Sequence, residues 1–410
     1  MEPGRSSGVS RRSHWLTLGL WAVLVLVWAV WLAVVILSAH LISNHPYDFE
    51  SYYAAAEALR FDPSATIYSP TVLVHASQAY GNCVGFTGLP YVYPPLLAIA
   101  IEPLTLLPCS SAAIVWLVFN AALWATTTLL LADMLAQRWP GHRLAAVTVM
   151  SMISLCFWQA FGGMFLGQIH LVLLFGMTLG LWLAERRRFG LAGGILAVVT
   201  VLKFFPAVIV IYYLARGRYR LVASALITSM GLVALMLLGS SPATVAQSVT
   251  TAFAFVHGLT VSGGQNESLT VTIPVIGSSL ADLIGLTYLV VIARRRGDDL
   301  LGVGWATCAM LLASPLVWSF YLVWLLPAFC ACLAAFATPA IHDWRRRGAW
   351  IALAVIYIVV AFPLSITLRS FATLALWAMA GLLYWRSGAA PPAPAPAAPI
   401  AAAASARAGG

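Results

Sequence analysis

"WLTLGLWAVLVLVWAVWLAVVILSAHLI", residues 15–42, decides the fold class of this chain, because its 28 residues are apolar almost throughout. About 20 such residues suffice for a helix to cross the hydrocarbon core of a membrane. The run is too long for the apolar part of a cleavable signal peptide and no small-residue cleavage site follows it, so we interpret it as an uncleaved signal anchor. Further apolar runs recur to the end of the chain without a soluble-domain-sized stretch between them. The sequence therefore predicts one polytopic, all-α membrane domain.

The composition agrees with this class and limits the partners. The chain is 61% hydrophobic and only 9% charged, far from the shares found in soluble domains. Its net charge of +9 comes from short basic clusters between apolar runs, a pattern that sets membrane orientation, so membrane lipids rather than nucleic acid are the expected surroundings. We predict a cytoplasmic N-terminal tail (1–14), the membrane domain (15–387) and a disordered Ala/Pro-rich cytoplasmic tail (388–410).

The arginine clusters predict the topology, since basic residues concentrate on the cytoplasmic side. With the N terminus inside, they allow about ten spanning helices and a C terminus that is also inside. The predicted spans are 15–42, 112–137, 144–161, 165–184, 221–239, 273–293, 300–314, 317–336, 348–368 and 371–385. Segments 93–108 and 191–214 fit this topology only if each enters and leaves the membrane on the same side. We therefore interpret both as re-entrant hairpins or broken helices.

This topology places most of the polar material outside, in loops 43–93 and 240–272 and at the "SPLVW" break, 314–318. It leaves Arg60 and Arg369 as the external arginines, and each is a candidate anion ligand or an ordinary surface charge. Lys203 is the only lysine and lies in an apolar stretch, where an ionisable group is costly. It is either a snorkelling lysine or a ligand of a lipid phosphate.

Asp48 lies in "HPYDFESYYAAA", residues 45–56, directly after the first span. It can serve as an N-cap of the helix that follows, as a catalytic base, or as both. Glu50 points away from it on a helix, so the pair is not an acid/base dyad. One carboxylate suffices for glycosyl transfer from a phosphate leaving group, because only the acceptor hydroxyl must lose a proton. Glu57 and Glu267 are possible second acids for a two-carboxylate glycosidase, without support from any motif.

Six short motifs then carry a resemblance: "DFESYYAA" after the first span, "YPPLLA" at 93–98, "GQ" at 167–168, "KFFP" at 203–206, "QNESL" at 265–269 and "SPLVW". In this order they resemble glycosyltransferase family 87, polytopic enzymes of the GT-C type similar to polyprenyl-phosphate-mannose-dependent α-mannosyltransferases. The resemblance implies a polyprenyl-phosphate sugar donor, a glycolipid or glycan acceptor, no cofactor, and a site on the outer face of a bacterial plasma membrane.

The resemblance also implies roles for individual residues. The catalytic aspartate of the first outer loop maps onto Asp48, and a family lysine maps onto Lys203; with Arg60 and Arg369 it forms the expected set of donor-phosphate ligands. Two positions depart from the family pattern: His170 replaces the usual Asn, and residues 319–321 lack the His often found there. The residues that we expect to bind sugar or acceptor are Tyr52, Tyr93, Gln168, His257, Asn266, Glu267 and Trp318.

Other functions find less support in the sequence. The eight histidines are dispersed and "GDD" at 297–299 lies on the arginine-rich side, so we predict no metal site. A transporter of a lipid or small polar solute is the main alternative, but it would show matching interruptions in two halves. A membrane acyltransferase would need a His-centred site within a span. Cys83 and Cys109 are both external in this topology and are able to form a disulfide.

Overall fold

The computed structural model describes residues 6–44, 47–79, 89–262, 266–273, 275–336 and 343–387. All regular structure in these ranges is helical, which confirms the all-α prediction. The α-helices in them are α1 (Ser6–Asn44), α2 (Tyr47–Phe61), α3 (Pro70–Ala79), α4 (Pro95–Ile101), α5 (Cys109–Arg138), α6 (Arg143–Leu155), α7 (Trp158–Phe165), α8 (His170–Glu185), α9 (Phe189–Leu202), α10 (Ala207–Ala215), α11 (Tyr219–Gly239), α12 (Pro242–Ser262), α13 (Leu269–Thr272), α14 (Gly277–Arg294), α15 (Asp299–Leu312), α16 (Leu326–Phe336), α17 (Asp343–Ala361) and α18 (Ile366–Ser387). Two 3₁₀ segments, Glu102–Leu106 and Ser319–Leu325, precede α5 and α16.

The polytopic class is confirmed, and each predicted span coincides with a helix or a helix pair. In the described residues six helices are long and apolar enough to cross a membrane, and the pair α6–α7, bent by 50°, would make a seventh. The other predicted spans fall on shorter apolar helices such as α8 and α15. The total of ten crossings therefore remains a prediction, because length and composition alone identify fewer.

The helices form a buried centre and an apolar periphery. In the segment Ser319–Phe336, 89% of the most apolar 18-residue stretch is buried inside the protein, whereas the share is 17% in α1 and 17% in α11. In water the exposed apolar faces of α1 and α11 would be unfavourable, but in a bilayer they contact lipid tails. The segment Ser319–Phe336 thus lies at the centre of the molecule, with α1 and α11 at the lipid.

Helices α9 and α10 form a hairpin whose two ends lie together. The hydroxyl of Ser224 on α11 donates to the carbonyl of Gly190 on α9 at 2.6 Å. Four residues further along both helices, Gly194 lies against Thr228, so α9 and α11 run parallel. If residues 191–214 crossed the membrane once, α11 would run back antiparallel to α9. Because α11 is instead parallel to α9, α10 must return the chain to the level at which α9 begins. This geometry agrees with the predicted re-entrant segment 191–214.

Close packing of this hairpin depends on a glycine. A Cβ at Gly193 would lie 2.1 Å from the carbonyl oxygen of Leu221, closer than any side chain tolerates. The backbones of α9 and α11 therefore touch at Gly193, which resembles the small-residue contacts that hold membrane helices together.

Ion pairs gather at the end of the molecule where α5, α8, α10 and α14 finish and α15 starts, and we call this end the basic pole. Arg138 contacts Glu185 at 2.7 Å and Asp298 at 3.4 Å. Asp299 contacts Arg216 at 3.1 Å and Arg218 at 3.9 Å. The basic clusters 186–188, 216–220 and 294–296 therefore share one pole, as predicted. Helix α8, on the order of 20 Å long, separates this pole from Gln168.

Candidate functional site

Asp48 begins the site in the first turn of α2. Its backbone N–H donates to the carbonyl of Leu166 at 3.0 Å, which joins α2 to the turn between α7 and α8. Next to it, Phe49 is fully buried and stacks on Trp116 at 5.9 Å. Among the described residues the carboxylate accepts from Gln168 and from no amide of its own helix. The N-cap interpretation of Asp48 was therefore wrong, because this carboxylate is turned towards α8 and not back over the first turn of α2.

Gln168 holds that carboxylate with its side-chain amide. Its Nε2 donates to Oδ2 of Asp48 at 2.5 Å, while its Oε1 accepts from the hydroxyl of Tyr52 at 3.2 Å and of Tyr93 at 3.0 Å. Two hydroxyl donors on Oε1 fix the orientation of the amide, so Nε2 must point at Asp48. The predicted residues Asp48, Tyr52, Tyr93 and Gln168 thus form one hydrogen-bonded group.

The turn that presents Gln168 requires glycine before it. Gly167 has a φ of 72°, in the left-handed region that side chains other than glycine rarely adopt. The indole of Trp116 donates to its carbonyl at 2.7 Å and fixes the turn in the core. The two residues of the "GQ" motif therefore act together: Gly167 makes the bend, and Gln168 reaches the carboxylate of Asp48.

Lys203 lies at the break between α9 and α10, where the backbone is extended (φ −156°, ψ 125°). Its ammonium group donates to the hydroxyl of Tyr321. The same group lies 4.0 Å from the ring centroid of Tyr321, 5.5 Å from that of Tyr93 and 6.0 Å from that of Trp324. Aromatic faces stabilise a cation that has left bulk water. Lys203 is half-buried, and its charge is close enough to Asp48 to lower the pKa of that carboxyl.

Burial is the largest influence on the ionisation of Asp48. It raises the pKa of Asp48 above its ordinary value, while the hydrogen bond from Gln168 and the charge of Lys203 lower it. Burial likewise raises the pKa of Tyr52 and Tyr93, so both remain neutral hydroxyl donors at physiological pH. The group combines a carboxylate of increased basicity with a nearby cation.

A second cluster joins loop 266–268 to the "SPLVW" break. Asn266 donates to the carbonyl of Pro315 at 2.8 Å and accepts from the amide of Val317 at 2.9 Å. Glu267 forms a two-pronged ion pair with Arg369 at 3.1 and 2.5 Å, and both side chains are buried. Burial raises the pKa of Glu267 and Arg369 lowers it. Each charge of this pair is therefore neutralised by the other.

The structure does not bring every predicted ligand to Asp48. Arg60 is exposed and donates to the carbonyl and hydroxyl of Thr105 at 3.3 and 3.1 Å. It lies twelve residues from Asp48 on α2, about 18 Å along the helix. Trp318 is half-buried and stacks on Phe320 at 6.3 Å. The side chain of His257 lies outside the described residues.

Three further predictions concerned His170, the cysteine pair and metal binding. His170 is buried on α8 with its Nε2 3.2 Å from the carbonyl of Ala160, a packing position. Cys109 is disulfide-bonded, and Cys83 lies outside the described residues. Within the described part of the chain, no three His, Cys, Asp or Glu side chains gather into a metal-binding group.

Tyr321 is the site residue that sequence reasoning did not select. It receives the hydrogen bond of Lys203 and stacks on Trp324 at 4.5 Å. Its position, three residues after the "SPLVW" break, was noted as a departure from the family pattern. That departure was the available signal, since a site residue of another type was expected there.

Comparisons with known proteins agree with the sequence resemblance. The model of glycosyltransferase family 87 matches residues 91–319, a region that includes Tyr93, Gln168, Lys203 and Trp318 and begins after Asp48. The polyprenol-phosphate-mannose-dependent alpha-(1-2)-phosphatidylinositol mannoside mannosyltransferase of Mycobacterium tuberculosis (strain ATCC 25618 / H37Rv) is 27% identical over 421 residues, covering 93% of this chain and 90% of that protein. No solved structure matches the chain.

Proposed function

The chain belongs to glycosyltransferase family 87 and is a membrane glycosyltransferase, and on that premise we propose that it transfers a hexose from a polyprenyl-phosphate donor to a glycolipid or glycan acceptor. The name of the mycobacterial relative supports mannose on polyprenol phosphate as the donor. Family membership also answers the alternative that the sequence left open, because the family consists of transferases and not of transporters.

The observation that carries the proposal is the carboxylate of Asp48 held by Gln168 beside Lys203. Oδ2 of Asp48 is occupied by the amide of Gln168, which leaves Oδ1 to face an acceptor hydroxyl. Burial raises the pKa of Asp48, and a carboxylate of higher pKa is a stronger base when it is ionised. The site thus offers one base, which is what transfer from a phosphate ester requires.

The reaction follows from this arrangement. The acceptor oxygen attacks the anomeric carbon from the face opposite the phosphate, and the bond between that carbon and the phosphate oxygen breaks. The bond electrons leave with polyprenyl phosphate, so no acid has to protonate the leaving group. Asp48 takes the proton of the acceptor hydroxyl. A single displacement of this kind inverts the anomeric configuration.

Lys203 is the proposed ligand of the donor phosphate. A phosphate in a site of low dielectric constant needs a compensating charge, and charge-assisted hydrogen bonds are the strong ones there. Lys203 lies at the break of the α9–α10 hairpin and is close to Asp48. Arg60 contacts Thr105 and Arg369 is paired with Glu267, so the proposal rests on Lys203 rather than on either arginine.

Sugar and acceptor are proposed to contact the polar and aromatic groups around the base. Tyr52 and Tyr93 present neutral hydroxyls, and Trp318 presents a half-buried ring. Asn266 is committed to backbone groups of the break 314–318, so it supports the shape of the site without contacting the sugar. The site lies at the end of the bundle away from the basic pole, which supports an extracytoplasmic orientation in a bacterial plasma membrane.

The experiment that tests this function uses the purified full chain in detergent with labelled polyprenyl-phosphate mannose and a mannoside glycolipid acceptor. We expect a product whose new linkage is α when the donor is β-linked. Guanosine-diphosphate mannose with magnesium is the control donor. Transfer from the nucleotide sugar but not from the lipid donor, or retention of the donor configuration, would contradict the proposal.

A further inference from the structure

A cavity of about 310 Å³ lies at the basic pole, on the far side of the molecule from Asp48. It lies where α9 and α11 begin, and we call it the arginine groove. It is lined by Arg187, Arg188, Phe189, Gly190, Leu191 and Arg220.

The arginines of this groove lack the acidic partners that several other arginines of the same pole have. Arg138, Arg186 and Arg216 each form an ion pair with a carboxylate. Arg187, Arg188 and Arg220 form no ion pair with any acidic residue that the structure describes. All three are exposed to the space of the groove. An uncompensated group of three guanidinium ions favours an anionic ligand.

The backbone adds hydrogen-bond donors in the same place. Arg187 has a φ of 59°, an uncommon conformation for a residue with a side chain, and this bend places Arg187 and Arg188 together at the start of α9. The first amides of α9 and of α11 are not capped by any side chain. Because the two helices are parallel, both positive dipole ends point to this side. At Gly190 no atom lies within 4 Å of the space that a Cβ would fill, so the backbone there is accessible.

An apolar surface continues from the groove along α11. Ile227 lies two turns after Arg220 on the same helix face and is 70% exposed; Met230, one turn further, is 73% exposed. In helix α11 only 17% of the most apolar 18-residue stretch is buried inside the protein, so this face meets the lipid. A ligand with an anionic head and hydrocarbon chains would match both the arginines and this apolar surface, whereas a free phosphate would match only the arginines.

We propose that the arginine groove binds the phosphate headgroup of an anionic phospholipid, whose acyl chains lie along the exposed face of α11. This site is separate from the transferase site and does not depend on its proposed chemistry. Arginine residues near a membrane surface also determine topology, so a test must separate specific binding from total charge.

The test uses the full chain in nanodiscs containing phosphatidylcholine and phosphatidylglycerol, with retained lipid counted by native mass spectrometry. The triple variant Arg187→Gln, Arg188→Gln, Arg220→Gln should retain at least about ten-fold less phosphatidylglycerol than wild type, because three charge-assisted contacts are removed. The matched control removes three exposed arginines of the same pole that lie outside the groove, Arg143, Arg294 and Arg296.

Equal loss of lipid in both triple variants, or loss in neither, would overturn the proposal. If that triple variant does not insert, the variant Arg187→Lys, Arg188→Lys, Arg220→Lys decides, since it keeps the charge but lacks the planar fork of arginine. We expect several-fold weaker retention of phosphatidylglycerol in that variant, and wild-type retention would overturn the site. Displacement of the lipid by inorganic phosphate at equal concentration would overturn the assignment to a lipid.

Discussion

Replacing Gln168 with Met would remove the hydrogen bond to the proposed base while keeping the length and apolar stem of the side chain. Three contacts disappear: the 2.5 Å bond to Asp48 and the two bonds from Tyr52 and Tyr93. A hydrogen bond to an ionised group contributes about 1.5–3 kcal/mol. The hydrogen bond from Gln168 lowers the pKa of Asp48, so its loss should raise that pKa further above the ordinary value.

The direction of the kinetic effect follows from the role of a base, which must be ionised to act. Transfer by the Gln168→Met variant should therefore need a higher pH, and the acid limb of its rate profile should move to higher pH than in wild type. At pH values above that limb, the variant should recover part of the wild-type rate. The assay is the initial rate of sugar transfer from polyprenyl-phosphate mannose across the pH range, with donor binding measured in parallel.

Gln159→Met is the matched control for this change. Gln159 is also buried, and it donates to the carbonyl of Phe362 at 3.2 Å without contacting Asp48. Its variant should show a wild-type pH profile, even if it is less stable. A Gln168→Met profile that overlays wild type would refute the claim that Gln168 controls the base. Equal displacement of the profile in the Gln159 variant would refute it as well.

Three further predictions concern other parts of the structure. Lys203→Met should weaken binding of the lipid donor by about ten-fold or more, since a charge-assisted contact is lost, whereas Arg60→Met should leave donor binding unchanged; equal effects of the two would contradict the phosphate assignment. Burial raises the pKa of Glu57 to about 7, so the folded state favours the protonated carboxyl. The stability that this neutral form contributes is fully present below about pH 4.5 and is lost as the pH rises through 7. Glu57→Gln should therefore raise thermal stability relative to wild type above pH 7, by roughly 3 kcal/mol at most, and little at pH 5; an equal difference at both pH values would contradict this. Cysteines introduced at Arg187 and Arg218 should label from the same side of the membrane, and labelling from opposite sides would exclude the α9–α10 hairpin.

The membrane fold was predictable because its physical signals are local. One continuous apolar run of the sequence forms a spanning helix, and the arginines that orient this helix lie directly beside the run. The hairpin was predictable for the same reason, since basic clusters flank segment 191–214 at both ends. The number of spans was harder to predict, because buried helices such as α8 and α15 are shorter than the hydrocarbon core of a membrane is thick.

The site was predictable only in part, because its contacts join distant positions of the chain. Asp48 and Gln168 are 120 residues apart, and Lys203 and Tyr321 are 118 apart. The order of the motifs indicated that Asp48, Gln168 and Lys203 lie in one site. A single sequence does not show which of their atoms are in contact.

The same limit explains why Arg369 was expected to bind phosphate. Its partner Glu267 is 102 residues away, so the sequence presented a lone external arginine where the structure has a buried ion pair. A charge that already has a partner in the folded chain is a weaker candidate for a ligand, and only the structure reveals that partner.

Sugar transfer by the Asp48→Asn variant tests directly whether Asp48 is the catalytic base. Asn keeps the shape of the side chain and an oxygen that accepts the amide of Gln168, but it cannot take a proton at neutral pH. We expect the variant to insert and to bind polyprenyl-phosphate mannose like wild type, while transfer falls by roughly 100-fold or more. Near-wild-type transfer by the purified variant would contradict the assignment of Asp48, because the base would then have to be another group.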